Sequence, residues 1–192
     1  MMKKLYFYFF VILFFSINAL AQQIFLFDIK IGSKLTDHLT SNEISKYYHD
    51  DMEKNSKGED VWGKDLKYSA VVLYGNEIIG DDYDYIQLYY ENKTDKIVGI
   101  SGMTTNLLLN QCIELRDNKV SKHVAKKLLL NFTKDKGSRT FPSGMKDDYV
   151  VFVGIKSNVG FRCYIYEDGS IDYRYSNIEK NYDDWLFKKF KK

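Results

Sequence analysis

Apolar and polar positions alternate along this chain with two different periods. Lys67–Tyr74 (KYSAVVLY), Tyr85–Glu91 (YIQLYYE) and Ile97–Met103 (IVGISGM) are short runs rich in β-branched and aromatic residues, which predicts strands. Ile24–Ile31 (IFLFDIKI) alternates and predicts another. Gly75-Asn76 predicts a two-residue turn with Glu77–Ile79 returning from it. Three further strands are predicted at Tyr149–Ile155, Phe161–Glu167 and Ser170–Tyr175, joined by turns at Lys156–Gly160 and Asp168-Gly169. Asp-Gly between alternating runs is a strong hairpin signal because the turn requires positive φ.

The second period is helical. Leu35, Leu39, Ile44, Tyr47 and Tyr48 predict one or two short helices, with Thr40 or Ser41 as a cap. Leu109, Cys112, Ile113, Val120 and Val124 fall on one stripe at about 100° per residue, interrupted by Arg116 and Lys127. They predict a long helix capped by Thr104 or Thr105 and fading near Asn131. Ile178, Tyr182, Trp185, Leu186 and Phe190 form the apolar face of a terminal helix. Ser176–Glu179 (SNIE) before it matches a capping box, and four lysines at its far end suit the helix dipole. Consecutive hairpins imply antiparallel pairing, so the expected class is α+β: a mostly antiparallel sheet with the long and the C-terminal helix packed on one face. The order, a helix followed by strands and then again, is similar to that of small exported binding modules such as β-lactamase inhibitor proteins and outer-membrane assembly lipoproteins. No diagnostic motif of either family and no internal repeat accompanies it.

The opening residues read as an address. Lys3 and Lys4 precede an unbroken apolar run, Leu5–Phe15, and Ala19-Leu20-Ala21 puts small residues three and one positions before a cut. The run is much shorter than the roughly 20 residues of a membrane span. The expected layout is a signal peptide over residues 1–21 and a single domain over residues 22–192, exported to the periplasm or the exterior after cleavage at Ala21-Gln22. The whole chain has a formal charge of +2. Losing Lys3 and Lys4 leaves 26 basic against 26 acidic residues, which gives no support to a nucleic-acid partner. Of the 16 tyrosines, 14 remain, and tyrosine suits a protein, glycan or small-ligand interface as well as half-buried strands.

Candidate chemistry is sparse. Cys112 lies on the long helix's stripe, and Cys163 alternates with Phe161 and Ile165 on the buried side of its strand. If the helix covers that side, the two sulfurs meet. In an oxidising compartment they bridge; otherwise they remain two small buried hydrophobes. His123, the only His on that helix, is three turns from Cys112, too far for a catalytic pair. No catalytic residues, metal ligands or cofactor are assigned: the histidines at 38, 49 and 123 lack zinc spacing, and no nucleophile elbow or glycine-rich phosphate loop is present. Asp81, Asp82 and Asp84 read as a solvated turn rather than a calcium loop. Asn92-Lys93-Thr94 and Asn131-Phe132-Thr133 match the glycosylation acceptor, which matters only in a secreting eukaryote.

Two aperiodic stretches, His49–Lys67 and Phe132–Asp147, are longer than most loops of compact domains. Each carries a large aromatic amid charges, Trp62 and Phe141, and these are the candidate binding residues. The alternative is that each ring folds back and pins its own loop. The functional expectation is a non-catalytic binding module, ahead of an exported hydrolase and of a membrane-surface protein using its Lys/Phe-rich terminal helix.

Overall fold

The computed structural model describes residues 29–48, 60, 62–74, 83–125, 132–141 and 143–191. The leader, the Ile24–Ile31 run up to residue 28, His49, Val61, the Gly75–Ile79 turn and return, Asp81, Asp82, Lys127, Asn131 and Pro142 lie outside the described residues, as do the side chains of His123, Val124 and Phe190. Contacts divide the chain into Met1–Lys30 and Ile31–Lys192. Every element below belongs to the second unit.

A 3-10 turn, Leu35–Asp37, leads into α1, Ser41–Tyr47. Thr40 caps α1 as expected: its Oγ1 accepts from the Glu43 N–H at 3.3 Å, and the Glu43 carboxylate accepts from the Thr40 N–H at 2.8 Å. Strands β1 (Tyr68–Tyr74), β2 (Tyr85–Glu91) and β3 (Lys96–Thr104) follow, then α2 (Leu109–Ala125). The chain ends with β4 (Phe132–Thr140), β5 (Lys146–Gly154), β6 (Ser157–Ile165), β7 (Ile171–Glu179) and α3 (Lys180–Lys191). All seven strands form one antiparallel sheet in the order β1-β2-β3-β7-β6-β5-β4. The class is α+β, as the pattern implied.

Cross-strand partners share a face of the sheet. Starting from Cys163, the register assigns Phe161, Tyr173, Val150 and Phe152 to one face, and all of these are buried. Helix α2 covers this face through Cys112, Arg116 and Val120, four residues apart and all buried. Cys112 and Cys163 form a disulfide with their Cα atoms 6.0 Å apart. Arg116 enters the apolar stripe because its charge is met: Nε lies 2.9 Å from Asp117 and a terminal nitrogen 2.9 Å from Asp148 of β5.

Helix α3 packs on the opposite face. Tyr182 sits over Gly99, Tyr89 and Ile178, all on the side away from Cys163. The two helices therefore sandwich the sheet instead of sharing a face; the sequence period defines an apolar stripe but not which side of the sheet receives it. The core beneath α3 is aromatic: Trp62, Tyr68, Tyr89 and Tyr182 are buried, with Trp185 and Leu186 packed against them. The Tyr68 and Tyr182 rings meet edge-on at 4.8 Å.

Four boundaries differ from expectation. The stretch Phe132–Asp147 is not a loop but β4, a tight turn and the start of β5. Ser157–Gly160 belongs to β6, so the hairpin turn is Ile155-Lys156. Ser176–Glu179 ends β7 and does not cap α3. Thr105 bonds Asp84 through its N–H and hydroxyl, at 2.6 and 2.8 Å, and α2 starts four residues later. The Asp168-Gly169 turn stands, with Gly169 at φ 84°.

Candidate functional site

Among the described residues, the sheet face shared with α3 is covered at one end only. A run of cross-strand partners crosses the rest of it: Arg139 with Asp147, Asp147 with Tyr164, Tyr164 with Asp172, Tyr149 with Arg162, Arg162 with Arg174, Arg174 with Met103, Met103 with Tyr85, and Tyr85 with Tyr74. Three of the chain's four arginines are on this face. Tyr149, Tyr164, Arg162, Asp172, Arg174, Met103 and Tyr85 are half-buried there, and Tyr74 and Val153 are exposed. A wet antiparallel face carries polar residues, and here these are arginines and aspartates interleaved with large aromatic rings. Its tyrosines give broad contact area at low cost in side-chain freedom, and its long arginines add planar charged groups.

Two networks fix these side chains. At the centre, Arg174 donates through Nε to the Ser101 hydroxyl at 2.8 Å and through a terminal nitrogen to Tyr89 Oη at 3.0 Å, and Tyr89 donates to Gln87 Oε1 at 2.7 Å. Toward β4, Asp147 is fully buried, and one of its oxygens accepts from Arg139 Nε at 3.0 Å and from Arg162 at 2.5 Å. Arg162 and Arg139 both lie over the Tyr149 ring, at 5.3 and 5.7 Å, and Arg139 also over Phe141 at 4.6 Å. At the far corner, burial and the neighbouring Asp172 carboxylate push the Tyr166 hydroxyl well above the ordinary tyrosine range, so it stays protonated.

The sequence-predicted residues divide. Trp62 is 4% exposed in the aromatic core, and its Nε1–H donates to Tyr182 Oη. It folds back onto the body, so almost none of its surface faces outward. Asn92 holds the loop beside it, donating to the carbonyls of Gly63 and Leu66 at 2.9 and 2.7 Å. Its amide is thereby spent on structure. Phe141 is half-buried at the β4–β5 turn beneath Arg139, next to the arginine face. Arg139, Asp147, Arg162 and Arg174 were missed because single charges in strands carry no motif; their meeting depends on register across four strands. The available signal was that Arg162 and Arg174 occupy the polar phase of their alternating runs.

Among the described residues, no three of His, Cys, Asp and Glu gather to hold a metal ion. No helix there is long and apolar enough to cross a membrane. Trp185 and Leu186 of α3 face the core, while Phe187 is exposed. A cleft of about 430 Å³ opens among Lys96, Lys156, Lys180, Glu179 and Ile155. Two of its three lysines are already paired, Lys96 with Glu179 and Lys180 with Asp184. No family model matches the chain, and no match is found among curated proteins or solved structures.

Proposed function

We propose that this chain is an exported binding module that meets its partner through the arginine- and tyrosine-bearing face of the sheet left open beside α3. The observation that carries this reading is the concentration of three arginines and four tyrosines on one half-exposed face. Interfaces are enriched in these two residue types, and arginine offers planar, bidentate recognition of acidic groups. The disulfide and the leader-like opening support export. The networks through Asp147 and Ser101 hold the guanidinium groups before a partner arrives, which lowers the entropy lost on binding.

The test is binding to arrays of peptides, glycans and small ligands by the chain and by Tyr164→Ala and Tyr85→Ala. Both substitutions are expected to weaken capture about tenfold or more while leaving the melting temperature within a few degrees. Capture that survives both would refute the open face as the binding surface.

A further inference from the structure

We infer that the outer edge of β4, backed by the Arg139–Arg162 pair, receives an extended acidic segment of a partner protein by strand addition. The inference rests on the open-face reading above and names the partner's chemistry. In the sheet order β4 is terminal, paired to β5 along one side through all nine residues. The other terminal strand, β1, is covered: Tyr48 bridges to Val71, and α1 packs beside it. A terminal strand presents backbone N–H and C=O groups on its outer side, and an extended peptide can pair with them.

Charge selects the occupant. From Thr133 to Thr140 the strand carries Lys134, Lys136 and Arg139 against Asp135 alone, a net +2, and all four are exposed. A second copy of this edge would set like charges against each other, which disfavours pairing. A strand bearing Asp or Glu would instead meet cations at cross-strand distance, roughly 5 Å.

Behind the edge, two guanidinium groups share one oxygen of a buried carboxylate, leaving a net positive charge. Burying Asp147 is costly on its own. What it does here is hold Arg139, which stays 53% exposed, in a fixed pose over Phe141 and Tyr149. Gly137 lets the Tyr149 ring reach the edge strand, since a Cβ there would lie 2.8 Å from Tyr149 Oη. Among the described residues, the edge therefore offers a backbone side that no strand pairs, an aromatic floor and a fixed cation within one hairpin, which suits an acidic peptide better than a free anion.

The test is an amide NMR titration of the full chain with a short peptide repeating Glu-Glu-Val, its Lys counterpart, and glutarate; paired glutamates reach both faces of β4, because Lys134 and Lys136 lie on the face opposite Arg139. The Glu peptide is expected to shift and protect β4 amides. Arg139→Ala should weaken it about tenfold to a hundredfold. Lys134→Glu with Lys136→Glu, both at exposed positions, should weaken it further without altering the free spectrum beyond the strand. Equal binding of the Lys peptide, glutarate shifts without β4 protection, or no response at β4 would each overturn the inference. If Tyr164→Ala still abolished array capture in that case, the open face would stand and only strand addition would fall.

Discussion

The disulfide joins α2 to the middle of the sheet, and breaking it has a calculable cost. Cys112 and Cys163 are 51 residues apart. Closing a loop of that length removes denatured-state entropy worth about 4 kcal/mol. Both sulfurs are fully buried, so truncation to alanine also leaves small voids worth about 1 kcal/mol in all. Reduced wild type, which keeps the sulfurs but not the bond, should therefore lose about 4 kcal/mol, and Cys112→Ala/Cys163→Ala about 5. For a domain of this size the second figure is a fall in melting temperature of about 10–20 °C. Urea unfolding followed by circular dichroism, with and without reductant, measures both. If reduced and oxidised protein unfold within about 1 kcal/mol of each other, the cross-link contributes nothing of the kind argued here.

Three further outcomes follow from the packing. Trp62→Ala should destabilise the fold by about 3–5 kcal/mol, whereas Trp62→Phe, which keeps most of the ring, should cost clearly less; equal and small losses would mean the residue is not core. Asn92→Ala should cost about 1–3 kcal/mol by freeing the Gly63 and Leu66 carbonyls, read as a lower urea midpoint. Burial pushes the Tyr175 hydroxyl up to about 12, and Tyr182 is raised too. A raised tyrosine pKa means the native state holds its proton longer than the unfolded chain. Stability should then be unaffected by these groups below about pH 10, where both states are protonated, and fall between pH 10 and 12 as the unfolded chain ionises. A flat profile across that window would mean that neither hydroxyl is shielded from water.

Much of the fold was legible in the chain itself. β1, β2 and β3 are where runs of β-branched and aromatic residues put them; these strands are buried on both faces, so their apolar runs are continuous rather than alternating. Of the two candidate caps for α1, Thr40 and Ser41, the structure uses Thr40, and Glu43 completes a box beyond that expectation. β4 was not legible, because its side chains from Thr133 to Thr140 are exposed or half-exposed on both faces and no alternation is required of it. Its identity as a strand comes from β5, with which it shares a nine-residue register. The Ser176–Glu179 box failed for the opposite reason: Ser176 is buried in β7 opposite Gly160 and Ser101, so tertiary pairing overrode a valid local signal. Of the two candidate aromatics, type and setting were alike, and only burial separated them. Trp62 went to the core and Phe141 to the margin of the arginine face.

The open arginine and tyrosine face is the proposed point of contact with a partner. A photo-crosslinking amino acid introduced at position 164, and as a control at position 122 on the exposed side of α2, would be irradiated in the source organism. Adducts of discrete mass from position 164 and not from 122 are expected. Adducts from 122 alone, or from neither, would contradict the account.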